Sequence, residues 1–392
     1  MDFLAEAREM QNKLTGLRRH FHQNPEVSGK EFETAKFIIC KLKELGLEVI
    51  ENVGKPLPGV IGILRGNNRG KTVALRADMD ALAVREQNDV PYRSKFDGIM
   101  HACGHDAHMA ILLGAAELLS KHKNELMGNV KFIFQPSEEI YGGALPMIKD
   151  GALENVDAIF GLHVDPAYQV GEIGICYGET LAASDRIIFK VKGKSSHGAD
   201  PHEGIDAIVI AAHIIVALQS LITRQKDPSA PAVLSFGIIQ GGNQPNAIAE
   251  EVLVRGILRT LNPALREKLN VGIEKIVRGI SESFDANCEF MREKSYDSLI
   301  NDNEKVNFLK EVASEIIGSN NVKHLEKPRM IVEDFAYYLQ RVPGAYFFLG
   351  CGNKKKGIIQ PLHNSKFNID EDSLQIGVAL ETALAIKILR QI

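Results

Sequence analysis

Cysteine is scarce in this chain. The five residues, Cys40, Cys103, Cys176, Cys288 and Cys351, are scattered over 392 positions. An odd, sparse set makes no disulfide framework, so a reducing cytoplasm is the expected location. The opening Met1-Asp2-Phe3-Leu4-Ala5-Glu6 lacks the basic-then-apolar order of a signal peptide. No stretch approaches ~18 uninterrupted apolar residues, so no membrane span is expected. Forty-six Lys and Arg stand against 50 Asp and Glu, a net charge of −4, which leaves neither a basic excess for nucleic acid nor an acidic tail. Internal repeats and low-complexity tracts are missing too. What is present, 45% hydrophobic and 24% charged residues, is the balance of a globular protein. It excludes disorder, collagen-like repeats and a coiled coil.

Nucleotide-binding signatures are also lacking. Gly66-Asn67-Asn68-Arg69-Gly70-Lys71-Thr72 looks like a phosphate-binding loop, but the required first glycine falls on Arg65 and the segment runs into a strand. No GxGxxG spacing and no His-Glu-x-x-His helix occurs.

At roughly 150 residues per domain the length allows two or three domains. Residues 2–23 and Glu31–Leu45 read as helices, the first stopped at Asn24-Pro25 and the second at Gly46. Strands at Val73–Leu75, Val130–Phe134 and Ala158–Leu162 alternate with helices at Ala107–Leu119 and Ala144–Lys149. That alternation predicts an α/β domain with a mainly parallel central sheet. After about Ala182 the pattern changes. Strands at Ile187–Lys192, Ala232–Ile239, Glu251–Leu258 and Cys288–Met291, with helices at Ile205–Leu221 and Pro263–Ser283, give the order β-α-β-β-α-β of a ferredoxin-like unit. Beyond Ser295 helix–strand alternation resumes. The expected organisation is a catalytic domain over 1–182 and 296–392, interrupted by an inserted lid or dimerisation domain over 183–295.

Four polar segments follow a buried strand or open a buried helix. They are Asp78-Met79-Asp80, His101 to His108, Glu138-Glu139, and His163; His363 lies downstream of a further strand, Ala345–Leu349. In open α/β sheets ligands bind outside the carboxyl ends of the strands, so these segments should converge. Cys103, His105, Glu139 or Glu138, His163 and His363 combine thiolate, imidazole and carboxylate, the ligand set of zinc and neighbouring transition metals. Five candidates exceed one catalytic site and suit two metals sharing a water. A glutamate pair after a buried run invites a division between a metal ligand and a general base, and sequence leaves open which is which. Asp80 is placed to fix the tautomer of a ligating histidine. In the inserted domain, His197 within Ser195–His202 suits an oxyanion, and Arg259, with Asn246, suits a substrate carboxylate.

With these residues in view, the chain resembles the metal-dependent amidohydrolases that include hippurate hydrolases, N-acyl-amino-acid deacylases, auxin-conjugate hydrolases and related carboxypeptidases. The likeness runs through Leu17–Glu26, Leu75–Leu82, Met100–His108, Phe134–Glu139, His197–Gly204, Asn246–Ile248, Leu258–Thr260, Glu333–Ala336 and Leu362–Asn364. It implies two divalent metal ions (Zn, Mn, Co or Ni) on Cys103 (bridging), His105, Glu139, His163 and His363, with Glu138 as general base. It implies His197 at the oxyanion, supplied by its own or a partner subunit, and Asn246 and Arg259 on the substrate carboxylate. A homodimer or higher homo-oligomer formed through the lid is expected. Ala83, Val332, Ala247 and Ala249 depart from the usual family residues, which bears on substrate fit and leaves the reaction intact. Two other readings compete. A cysteine hydrolase with Cys103 as nucleophile and His105 as base leaves Glu139, His163 and His363 unexplained. A non-catalytic metal or amino-acid binding protein has no need of Glu138 beside a ligand.

Overall fold

All seven residues of the strand Thr72–Asp78 are buried, as are six of the seven in Asn129–Gln135 and all nine in Gly344–Gly352. Strands hydrophobic on both faces belong in the middle of a parallel sheet covered by helices. The computed structural model, which describes residues 1–66 and 70–391, puts them there. The phosphate-loop look-alike falls partly on residues 67–69, outside the described residues; Thr72 opens a strand.

The chain packs as two units. The first comprises Met1–Gly178, Ile300–Glu326 and Asp334–Ile392. Its eight-stranded sheet runs in the order Glu48–Val53, Gly59–Arg65, Asn129–Gln135, Thr72–Asp78, Ala158–Gln169, Gly344–Gly352, Ile173–Ile175, Val322–His324. The four central strands are parallel neighbours, whereas Glu48–Val53 and Gly59–Arg65 join antiparallel at one edge. This is the mixed α/β fold with a large, mainly parallel sheet that the alternation predicts. The register aligns Asp78 with Gln135 and Phe348 with His163, so the carboxyl ends of the central strands open on one side. Helix His105–Lys121 is buried at nearly every position and packs against the C-terminal helix Asp372–Ile388.

Three readings change. The first helix breaks at Met10 into Phe3–Glu9 and Gln11–Gln23. The edge strands Glu48–Val53 and Gly59–Arg65, not assigned from sequence, form a hairpin. The strand after Ala158 continues through His163 to Gln169.

The second unit comprises Glu179–Leu299 and Lys327–Glu333. Its strands follow the antiparallel order Asn287–Lys294, Ala183–Lys192, Glu251–Thr260, Ala232–Gly241, the ferredoxin-like arrangement. Helices Ala207–Arg224 and Pro263–Ser283 cover the sheet, capped by Asp206 and Asn262. Ala207–Arg224 is long and apolar enough to cross a membrane by those measures alone, but Ala207, Ile210, Ile214, Leu218 and Leu221 are buried in this unit's core. The unit bounds differ from the expected 1–182 with 296–392 and 183–295 by a few residues at the junctions and by residues 327–333. That segment joins the second unit because Arg329 bridges Leu181 and the Ile331 carbonyl accepts the Ala182 N–H at 2.9 Å.

Candidate metal and catalytic site

Pro136 follows the strand Asn129–Gln135, and beyond Ser137 the peptide N–H groups of Glu138 and Glu139 both donate to one buried carboxylate. Asp80 Oδ1 accepts the N–H of Glu138 at 3.1 Å, and Oδ2 accepts that of Glu139 at 3.0 Å and the Ser28 hydroxyl at 2.6 Å. Burial raises a carboxyl pKa, but His105, Ser28 and the Glu139 amide outweigh it and hold the Asp80 carboxyl below its ordinary value. Asp80 therefore organises both glutamates as well as the histidine it was expected to orient.

That histidine opens the helix His105–Lys121. Gly104 stands between Cys103 and His105 with φ +90°, where a Cβ would lie 2.3 Å from Val164 Cγ2; only glycine allows the turn that points both neighbours at one spot. His105 Nδ1 donates to the Asp80 carbonyl at 2.8 Å. This leaves Nε2, buried and without a hydrogen-bond partner, 3.6 Å from Asp78 Oδ2 and 4.0 Å from Glu139 Oε1. Burial opposes charge on this ring, but Asp78, Asp80 and Glu139 push its pKa up to about 10. Burial and the facing Glu139, Glu138 and Asp78 drive the Cys103 thiol well above its ordinary range. A buried spot crowded by carboxylates and a thiol calls for positive charge.

The remaining donors come from within the strand Ala158–Gln169 and from the loop beyond Gly344–Gly352. His163 donates from Nδ1 to the Val164 carbonyl at 2.8 Å and turns Nε2 to Cys103 Sγ at 3.4 Å. His363, held in the left-handed region (φ +65°) with its N–H on the Ala102 carbonyl, puts Nε2 3.3 Å from Cys103 Sγ and 3.4 Å from Glu139 Oε1. Such backbone strain in a non-glycine residue is common where function fixes a side chain.

These residues fit a metal. Cys103, His105 and His163 offer donor atoms within 4.8 Å of one another, as do Cys103, Glu139 and His363, and as do His105, Glu138 and Glu139. The first two groups share the Cys103 thiol. Tetrahedral ligands at ~2.0–2.3 Å from a zinc-like ion stand roughly 3.5 Å apart, close to the observed sulfur–nitrogen separations. Buried His105 Nε2 and Glu139 Oε1, both without hydrogen-bond partners, are the atoms a cation would satisfy.

Residues 74–387 match peptidase family M20/M25/M40. The chain belongs to this family. It is 43% identical over 386 residues to thermostable carboxypeptidase 2 of Saccharolobus solfataricus, covering 97% of each chain. It is 37% identical to N-acetyl-L-cysteine deacetylase of Bacillus subtilis, over 93% of this chain and 85% of that one. Among solved structures, a dinuclear metal-binding peptidase of the M20 family from Bacillus subtilis superposes with a TM-score of 0.86 at 33% identity, covering 98% of this chain and 100% of that one. Membership in M20/M25/M40 makes the chain a hydrolase of the metal-dependent peptidase and amidohydrolase type, as the resemblance implied.

This M20/M25/M40 member also carries supports that sequence reasoning passed over. His108 donates from Nδ1 to Asp78 at 2.6 Å and accepts the Val164 N–H on Nε2 at 2.9 Å. Arg76 braces Asp78 from behind at 2.6 Å. Asp106 receives Arg18 at 2.9 Å and His22 at 2.7 Å, and His22 also reaches Glu86 at 3.1 Å, all buried. The tract Leu17–Glu26 marked the family likeness without revealing this role.

In the second unit, the isolated bridge His197–Ala247 sets His197 beside Asn246, whose carbonyl accepts the Gly198 N–H at 2.8 Å. Both residues are exposed. Arg259 lies on the strand Glu251–Thr260, paired with Ser184 and Val233. Its Nη1 is buried without a hydrogen-bond partner, and that burial lowers its pKa.

Proposed function

We propose that this hydrolase cleaves the amide bond of N-acyl amino acids or small peptides, using two divalent transition-metal ions. The observation that carries the reading is the pair of donor groups, Cys103–His105–His163 and Cys103–Glu139–His363, sharing one thiol. Cys103 would bridge, with Zn, Mn, Co or Ni all compatible with the mixed donor set. A pair of such ions lowers the pKa of a water and polarises a carbonyl. Glu139 groups with Cys103 and His363 while Glu138 does not, which supports Glu139 as ligand and Glu138 as general base. Glu138 takes the proton of the attacking water and delivers it to the leaving amine. Asp80 holds the two glutamates and His105 in place.

Arg259 and Asn246 hold the amino-acid carboxylate, a role supported by the half-buried Arg259, whose buried Nη1 has no hydrogen-bond partner. His197 stabilises the oxyanion, from its own or a partner subunit. The relatives named carboxypeptidase and N-acetylcysteine deacetylase support this substrate class. A homodimer through the second unit is supported by the exposed Ile208, Val209 and Val216 and by Val233, Ile238 and Ile239 on an edge strand. A cytoplasmic location is in keeping with five unpaired cysteines.

A cysteine-hydrolase mechanism is disfavoured, because a nucleophilic thiol needs a depressed pKa and that of Cys103 is raised. The test is hydrolysis of a panel of N-acyl amino acids in which acyl and amino-acid halves vary separately. Turnover that a chelator abolishes and added metal restores is expected. Chelator-insensitive turnover would favour the thiol mechanism, and the absence of any metal-dependent turnover would favour a binding protein.

A further inference from the structure

Glu31 has no part in the mechanism above, yet its residue surface is fully buried. Its Oε1 accepts two backbone N–H groups, from Ser137 at 2.8 Å and Gly29 at 3.0 Å. Ser137 immediately precedes Glu138 and has φ +61°, a left-handed conformation that a residue with a Cβ holds only where its surroundings over-determine it. The same residue closes the turn on its other side, its carbonyl accepting Gly142 and Gly143 at 2.9 and 3.2 Å.

Three successive amides, those of Ser137, Glu138 and Glu139, thus donate to two buried carboxyls, Glu31 and then Asp80 twice. One loop holds both carboxyls together. Ser28 donates to Asp80 at 2.6 Å, and the Glu26 carbonyl accepts the Ala81 N–H at 2.8 Å. The direction in which the Glu138 side chain leaves the backbone follows from the torsions of this turn. The torsions in turn follow from where the three amides are held.

We propose that Glu31 is a positioning residue for the glutamate pair: by holding the Ser137 amide it fixes the left-handed turn that aims Glu138 and Glu139. This rests on the reading of Glu138 as general base. Burial, reinforced by Asp80, pushes the Glu31 pKa up to about 8, so the carboxyl is largely neutral at pH 7 and glutamine mimics it while keeping the acceptor oxygen.

The experiment compares Glu31→Ala, Glu31→Gln and the double variant Glu31→Ala with Ser137→Gly. Readouts are kcat and KM on an N-acyl amino acid, calorimetric binding of Zn or Mn, and crystal structures. Glu31→Ala should lower kcat by about 100-fold, the scale of a 1 Å misplacement, with KM little changed. Its crystal structure should show Ser137 out of the left-handed region and Glu138 displaced. Glu31→Gln should recover most of kcat. Ser137→Gly should recover part of it, since glycine adopts positive φ without support. A wild-type kcat for Glu31→Ala, or an unchanged turn over 137–139 in its structure, would overturn the proposal. Unfolding of both alanine variants would also overturn it, making Glu31 a general structural residue. Failure of the wild-type enzyme to hydrolyse any amide would instead strike the functional reading, while the crystal structures still decide the role of Glu31.

Discussion

The Nδ1–H of His108 donates to Asp78 Oδ1 at 2.6 Å. With its Nε2 accepting the Val164 N–H at 2.9 Å, the ring has no lone pair left for a metal. Burial lowers its pKa to about 4 despite Asp78, so it stays neutral in this one tautomer. His108 is therefore a brace between Asp78 and the strand that carries His163. Replacing it with leucine should weaken metal binding by about 10–100-fold, the usual cost of losing a partner behind the ligands, without changing the number of ions bound at saturation. His163→Ala should lower that number. Calorimetric titration of both variants separates the two effects.

Glu138→Gln keeps the size of the side chain and removes the proposed base. The expected loss in kcat is about 10²–10⁴-fold with metal content unchanged. Steady-state kinetics with elemental analysis checks it, and full activity would sink the assigned role. Glu139→Gln should instead lose metal along with activity.

Removal of metal should act on stability as well as on turnover. Without a cation, Asp78, Asp80 and Glu139 crowd the buried His105, and the unpartnered His105 Nε2 and Glu139 Oε1 go unsatisfied. A ligand present at a hundred times its Kd stabilises by about 2.7 kcal/mol, so the chelated protein should melt at a lower temperature. Differential scanning calorimetry across a Zn or Mn series gives the order of metals directly.

Glu381 lies fully inside the C-terminal helix packing, with Oε2 unpartnered and burial alone driving its pKa well above the ordinary value. The folded state keeps a proton that the unfolded chain gives up above pH ~4.3. Stability is therefore lost as pH rises from there toward the folded pKa. Glu381→Met should stabilise by about 1–3 kcal/mol, with an advantage that grows with pH across that window. Urea denaturation at several pH values measures it.

The candidate donors could be grouped from the sequence because most of them follow a buried strand or open a buried helix, although His163 lies within its strand and not after it. Cys103 and His105 straddle a glycine, Glu138-Glu139 follow Pro136, and a parallel sheet brings such positions to one side wherever its strands lie. The second unit was legible for a similar reason, the order of its strands and helices. The hairpin Glu48–Val53 with Gly59–Arg65 escaped notice, since a half-exposed first strand carries little pattern. Arg18 and His22 read as ordinary polar positions on an N-terminal helix; their burial against Asp106, 88 and 84 residues away, depends on long-range packing.

The sequence by itself determined the chemistry on offer: the capacity to hold a metal or move a proton belongs to the side chains, while the division of roles between Glu138 and Glu139 stayed open. Only the tertiary structure decided which groups are free to do so. His108 is taken up by Asp78 and Val164, Asp80 is committed to two amides, and Ser137 is held at positive φ by Glu31. Each depends on burial and on hydrogen bonds between distant segments, where an unsatisfied polar group is costly and so every partner is fixed by the fold.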